Sequence, residues 1–344
     1  MSIFLVYRGF RDPEGEGMNV YIKSVGAYTP KRRVSNDELS KTMDTSDEWI
    51  KSHTGIEARH VAAEGITTSD MAVEAAKVAL ERAGLSAEDL DMIILTTASP
   101  DFIGFPSTSC IVQDKIGAKN AGAFDLTAGC TGFIYAVDNA KNMILAGTAK
   151  NVLVVGSEAL TKISNMQDRD TAVLFGDGAG AVIVSASENE ESSIEHAILK
   201  ADGSGAEVLM RKYGGIKYPF VDGKTTFNDM ALYMDGRAVY SFAVKVNTEL
   251  IKGLMERTNL TIDDIEWIVP HQANIRILQA TAKRLKVPVE KFYFNLMEYA
   301  NTSSASIPIA LNEMYEKGKL KRGNRILLTG FGAGLTYGGT IIKW

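Results

Sequence analysis

Residues 84–94, Gly84-Leu85-Ser86-Ala87-Glu88-Asp89-Leu90-Asp91-Met92-Ile93-Ile94, are echoed by residues 259–269, Asn259-Leu260-Thr261-Ile262-Asp263-Asp264-Ile265-Glu266-Trp267-Ile268-Val269. Each stretch reads as a helix end, a polar turn with paired acids and a buried strand. A second pair follows in the same order: Gly176-Asp177-Gly178-Ala179-Gly180 and Gly330-Phe331-Gly332-Ala333-Gly334. Both sit between apolar strands, as tight glycine hairpins or bends would. Any two strand–helix turns share some features. Two segments agreeing in order point further, to one α/β unit written twice. Two such halves would set their sheets back to back and leave a cleft where they meet.

The rest of the chain fits this reading. Residues 92–95, 152–155, 181–184, 268–269 and 326–328 read as buried strands. Helical patterns lie between them, over 69–82 with a serine at the cap and Gly84 past the end, and over 236–257. Strands alternating with helices imply α/β layers. The expected division is a flexible arm over 1–17, a half over 18–190 and a half over 191–344, joined in the acidic stretch 188–195.

The formal net charge of -5 argues against bulk nucleic-acid binding, which wants a basic surface. Two cysteines in 344 residues form no disulfide framework, so a reducing, cytoplasmic setting is the natural reading. No pair of the four histidines has metal-ligand spacing with them, and no metal is expected. No apolar run reaches the roughly 18 residues of a membrane helix. The start has neither a long apolar region nor a small-residue cleavage site, so it does not read as a signal peptide.

Three residues invite chemistry. Cys130 follows a strand over 123–126 and a small-residue turn, and opens a helical pattern over 131–145. Unpaired backbone N–H groups and the positive dipole end gather there, which lowers a thiol's pKa from about 8.5. The alternative is a buried small hydrophobe, and Cys110, without that setting, reads as packing. His271 ends a buried strand just after Pro270, where layered α/β proteins present functional side chains. A cap or core histidine is the alternative. Asn301 lies between a strand over 292–295 and a helix over 304–315, where a turn or cap is the common role. Yet Cys130 follows Met92 by 38 residues and Asn301 follows Trp267 by 34, so they hold nearly equivalent places in the two halves. If the halves face each other, the two residues meet across the pseudo-twofold axis. On the helix after His271, Arg276, Lys283 and Arg284 fall at i, i+7 and i+8 and form a basic stripe on an acidic protein. Such a stripe suits an acidic partner, or is a solvated face.

These residues also carry a family resemblance. Asp44-Thr45-Ser46-Asp47-Glu48-Trp49-Ile50, Thr54-Gly55-Ile56, Ala128-Gly129-Cys130-Thr131-Gly132-Phe133, Phe175 to Gly180, Pro270-His271-Gln272-Ala273-Asn274, Asn301-Thr302-Ser303 and Phe331 to Gly334 stand in one order. Over residues 19–344 the chain resembles β-ketoacyl-[acyl-carrier-protein] synthase III, the initiating condensing enzymes of bacterial fatty-acid synthesis. The resemblance implies a thiolase-like five-layered α-β-α-β-α fold of two duplicated halves, a homodimer, with no cofactor. It implies an acyl-Cys130 intermediate from acyl-coenzyme A, an oxyanion hole from the amides of Cys130 and Ala333, and a His271–Asn301 donor pair for the enolate of malonyl-acyl carrier protein. It places Trp49 and Arg169 about the adenine of coenzyme A. Thr54, Gly236 and Asn274 would line the pantetheine tunnel, and Arg276, Lys283 and Arg284 would receive the carrier protein. Phe331 would border the acyl pocket, and Phe105 would reach the partner's pocket and shorten it towards acetyl. His53 and Asp170 depart from the arginine and glycine common in the family. A papain-like peptidase shares the Cys, His, Asn order, but wants Trp or Tyr where Thr131 stands. A non-catalytic thiolase-fold protein would be expected to lose Cys130 or His271. A secondary-metabolism relative with the same three residues stays open.

Overall fold

The computed structural model describes residues 19–187 and 191–344. The arm expected over 1–17 lies outside the described residues. The two echoed segments have the same local structure. The helix Thr68–Ala83 ends on Gly84 at φ 66°, and the helix Gly236–Thr258 ends on Asn259 at φ 54°. Each segment then makes one 3-10 turn closed by a capping box, Ser86 with Asp89 and Thr261 with Asp264. Asp89 and Asp264 each accept the backbone N–H three residues back at 2.8 Å, which explains why an acid recurs there.

The strands that follow enter sheets of matching topology. The first sheet runs Asn19–Tyr28, Asp177–Ser187, Asn151–Ala159, Met92–Thr96, Gly122–Leu126. Its pairings are antiparallel, antiparallel, parallel and parallel. The second runs Ser193–Ala201, Thr336–Lys343, Arg325–Gly332, Trp267–Pro270, with antiparallel, antiparallel and parallel pairings. Two helices lie between the sheets, Gly132–Leu145 from the first half and Ser306–Glu316 from the second. Phe133, Ile134, Ile307 and Leu311 share one core with strands of both sheets. The helix Thr68–Ala83 covers the outer face of the first sheet, and Gly236–Thr258 that of the second. This gives five layers, α-β-α-β-α. The halves share their largest core, so neither half's sheet buries its inner face alone.

Four local expectations need correction. Thr67, not a serine, caps the helix Thr68–Ala83, because it pairs reciprocally with Asp70. Gly176 to Gly180 is no hairpin: most of it opens the strand Asp177–Ser187, and a Cβ on Gly180 would lie 2.7 Å from Pro308 Cβ. Only the second glycine run turns, linking Arg325–Gly332 to Thr336–Lys343. The strand expected over 292–295 is a single parallel bridge from Phe292 to Ile268. Gln272 replaces the missing rungs: its Nε2 donates to Pro270 O at 2.8 Å and Tyr293 O at 3.1 Å, and its Oε1 accepts the Asn295 N–H at 3.0 Å. Last, the helix expected from 304 starts at Ser306, after a 3-10 turn over Ser303–Ala305.

Candidate active site

The 3-10 turn Gly129–Thr131 delivers Cys130 to the mouth of the helix Gly132–Leu145. It presses on the opposite half. A Cβ on Gly332 would lie 2.4 Å from Cys130 N, and one on Gly129 would lie 2.7 Å from Ala333 N. Only hydrogen at both positions lets the two backbones meet so closely, and this sets the Cys130 and Ala333 amides beside one cavity. The mirror-image contact exists too: a Cβ on Gly156 of the first half would lie 2.4 Å from Ser304 O, in the 3-10 turn of the second. Each half's turn therefore docks on the other half's sheet, and both turns end at the shared cleft.

The expected lowering of the Cys130 thiol is not what its surroundings favour. Burial pushes it up to about 12, with the charge of Glu158 adding to the rise and the Ser303 hydroxyl and the Cys130 backbone opposing it. The residue is part-exposed, and it lines the cavity. Desolvation there outweighs the hydrogen bonds that favour the thiolate, and no cation offsets it.

His271 is fixed at the end of Trp267–Pro270, where its N–H donates to Thr329 O at 2.7 Å. It is buried, and its ring and that of Phe331 meet edge-to-face at 5.4 Å between centroids. Its Nδ1 lies 2.7 Å from Ser306 Oγ. Burial lowers its pKa from 6.5 to about 3, so the imidazole is neutral at physiological pH. Asn301 is anchored through its backbone: its N–H donates to Leu174 O at 2.9 Å and its carbonyl accepts the Gly176 N–H at 3.0 Å. Ala300 at φ 57° and Ser303 at φ 47° bend the chain sharply on either side. The Ser303 N–H donates to Asn301 Oδ1 at 2.8 Å. A peptide N–H must face an oxygen, so this contact orients the amide and leaves Nδ2 as the free donor.

Cys130, His271 and Asn301 all line a cavity of about 1640 Å³, together with Ala333 and Phe331. Thr54, Gly236 and Asn274 line it as well. The Thr54 hydroxyl is already engaged, donating to Ile50 O at 2.7 Å and accepting from Ile56 N–H at 3.0 Å. Asn274 caps the helix Ile275–Leu285 through Oδ1, and its Nδ2 donates to His53 O at 3.0 Å. Trp49 lies at the cavity rim between two neighbours. His53 stacks on it at 4.3 Å, and the Arg169 guanidinium lies 4.6 Å from the ring centre. Arg169 also donates to Asp44 O at 3.1 Å and does not itself line the cavity, whereas Asp170 does.

Arg276, Lys283 and Arg284 are exposed on the helix Ile275–Leu285, and Arg276 reaches the cavity mouth. Phe105 is 89% exposed and is not part of this chain's cavity. Three contributors escaped the sequence reading. Ser306 and Gln272 act through His271 and the loop after it, and nothing in a serine-rich helix start or a lone glutamine distinguishes them in sequence. Glu158 is buried behind Cys130 and accepts from Ala98 N–H at 3.0 Å, Ser99 Oγ at 2.8 Å and Ser304 Oγ at 2.7 Å. It bridges a loop of the first half to the turn of the second. Among the described residues no three or more His, Cys, Asp or Glu gather as a metal site, and no helix is long and apolar enough to cross a membrane.

The chain is similar to known proteins over most of its length. Residues 124–214 match the family model 3-oxoacyl-[acyl-carrier-protein (ACP)] synthase III, and residues 255–344 match its C-terminal counterpart. A β-ketoacyl-[acyl-carrier-protein] synthase III of Clostridium perfringens is 49% identical over 325 residues, 94% of this chain and 99% of that protein. The crystal structure of the 3-oxoacyl-[acyl-carrier-protein] synthase III of Aquifex aeolicus VF5 superposes with a TM-score of 0.87 at 44% identity, covering 94% of this chain and all of that one (100%). A priming β-ketosynthase of the R1128 polyketide pathway superposes with a TM-score of 0.88 at 35% identity, covering 97% and 98%.

Proposed function

The chain belongs to the 3-oxoacyl-[acyl-carrier-protein] synthase III family, and from that membership we propose how its own residues start a fatty acid. It is an acyltransferase of the condensing type, which joins an acyl primer from acyl-coenzyme A to malonyl-acyl carrier protein. The observation that carries the residue roles is the convergence of Cys130, His271 and Asn301 on one cavity from turns of opposite halves.

In the first step the Cys130 sulfur attacks the thioester carbonyl. The Cys130 and Ala333 amides stabilise the oxyanion, the bond to coenzyme A breaks, and the thiol proton ends on the departing sulfur. With the free thiol pushed up, these fixed donors matter more than a standing thiolate. In the second step the bond between the malonyl α-carbon and its carboxylate breaks. The electron pair moves onto the thioester oxygen, where His271 and Asn301 Nδ2 each donate a hydrogen bond. The pair then forms the new carbon–carbon bond to the acyl-Cys130 carbonyl. Cys130 leaves as a thiolate and regains a proton from solvent. A neutral imidazole suits this step, because it donates without adding a charge that would hold the carboxylate back.

Further positions follow the same reading. Trp49 and Arg169 receive the adenine of coenzyme A, while Thr54, Gly236 and Asn274 border its pantetheine arm. Arg276, Lys283 and Arg284 attract the acidic carrier protein. Phe102, Ile103 and Phe105 are 53%, 70% and 89% exposed on one loop, an apolar stretch that a homodimer would cover. There Phe105 would narrow the partner's acyl pocket beside Phe331, favouring acetyl as primer. A free exposed thiol at Cys110 beside a working one at Cys130 fits a reducing cytoplasm. The higher identity to the fatty-acid enzymes than to the polyketide one favours lipid synthesis.

Intact mass after addition of acetyl-coenzyme A tests the proposal. The protein should gain one acetyl group (about 42 Da for thiolate acylation), and Cys130→Ala should gain none. A gain only with longer acyl donors would keep the mechanism and overturn the primer. No gain from a folded protein with any acyl donor would overturn the condensing reading.

A further inference from the structure

The imidazole of His271 has two nitrogens, and the reaction needs a proton on the one that faces the substrate. The hydrogen bonds around Ser306 decide which nitrogen carries it. Ser306 Oγ lies 2.7 Å from His271 Nδ1 and accepts the Gln272 backbone N–H at 3.3 Å. No other hydrogen-bond partner reaches this oxygen among the described residues. Ser306 is 2% exposed and does not line the cavity, so its hydroxyl is shielded from solvent.

The protons can be counted. A peptide N–H only donates, so Gln272 occupies one lone pair of Ser306. The hydroxyl has a single hydrogen of its own. With a proton on Nδ1, Ser306 would accept twice and its own O–H would point at no acceptor, an unpaired donor in a buried site. With Nδ1 bare, the Ser306 O–H donates to it and each group around Ser306 is satisfied. A neutral imidazole has one N–H, which then sits on Nε2.

We propose that Ser306 is a positioning residue that holds His271 in the Nε2–H form, the form able to donate to the thioester oxygen as malonyl loses carbon dioxide. This rests on the condensing-enzyme reading above and adds a device that the three reacting side chains alone do not contain. Gln272 belongs to the same device. Its backbone N–H orients the serine, while its side chain ties down residues 293–295. The stretch Pro270-His271-Gln272 thus sets both the ring and the group that polarises it.

Nitrogen-15 NMR of histidine-labelled protein reads the form directly. The His271 resonances are assigned by their absence in His271→Gln. The wild type should show protonated Nε2 and unprotonated Nδ1, and Ser306→Ala should shift the ratio towards the other form by about ten-fold or more. In the same variant, carbon dioxide release from malonyl-acyl carrier protein should fall about 10- to 100-fold, with acylation of Cys130 losing far less. A proton on Nδ1 in the wild type would overturn the proposal, and that spectrum decides even if Ser306→Ala does not fold. An unchanged form or unchanged carbon dioxide release in a folded Ser306→Ala would overturn it as well. Failure of the wild type to become acylated would instead sink the condensing reading, without altering what the spectrum says about the ring.

Discussion

His271 should make the whole protein acid-sensitive. Its pKa is about 3 in the fold, lowered by burial, against 6.5 for an exposed histidine. The folded state therefore binds fewer protons than the unfolded chain between these values. Stability is unaffected above about pH 7.5, falls as pH drops through 6.5, and levels off below 3. Proton linkage gives a cost of about 2 kcal/mol at pH 5 relative to pH 7.5 from this one residue. Replacing it with a neutral side chain removes that slope. Urea denaturation of wild type and His271→Gln at pH 7.5, 6 and 5, at one protein concentration, isolates the effect. The other three histidines are common to both proteins and cancel in the difference. The stability of the variant should gain on the wild type by about 2 kcal/mol from pH 7.5 to 5. A constant difference across that range would mean that His271 is not held neutral, and the argument for an uncharged donor would fail with it.

Other consequences are as direct. Gly332→Ala places a Cβ 2.4 Å from Cys130 N, so coenzyme A release in the acylation burst should slow by about 100-fold or more, comparable to a lost oxyanion donor. Asn301→Ala should leave the acetyl gain in place but cut carbon dioxide release about 100- to 1,000-fold, measured by trapping the gas. Reversing the charge of Arg276, Lys283 and Arg284 together should raise the KM for malonyl-acyl carrier protein about ten-fold or more at low salt, with much less effect on acetyl-coenzyme A.

The architecture was legible because it is repeated. Two Ser/Thr-x-x-Asp boxes after helix ends, at Ser86 and Thr261, mark equivalent places in the two sheets. Cys130 and Asn301 could be paired from their offsets to the strands at Met92 and Trp267 that follow those boxes. What escaped depends on contacts between residues far apart in the chain. The 292–295 segment has the composition of a strand, yet the side chain of Gln272 takes its hydrogen bonds. The first glycine run serves helix docking at Pro308, not a turn, and no local pattern separates those uses. The thiol of Cys130 looked activated because a helix start is visible in sequence, whereas the depth of the cavity and the carboxyl of Glu158 behind it are not. Ser306 was one serine among several until the ring of His271 stood against it.

The Trp49 ring is already covered on arrival: Arg169 lies over it at 4.6 Å and His53 stacks on it at 4.3 Å. A planar base entering between Trp49 and Arg169 exchanges one stack for another. A base on an aromatic ring is worth about 1–3 kcal/mol. The guanidinium contact it displaces returns about 0.5–1 kcal/mol of that at an exposed site. If Trp49 and Arg169 receive the adenine as proposed, the nucleotide end of the substrate would be a sorting device more than an anchor. It would admit a flat ring that can replace a guanidinium, while a carrier protein bearing the same pantetheine arm would pass the rim without that exchange.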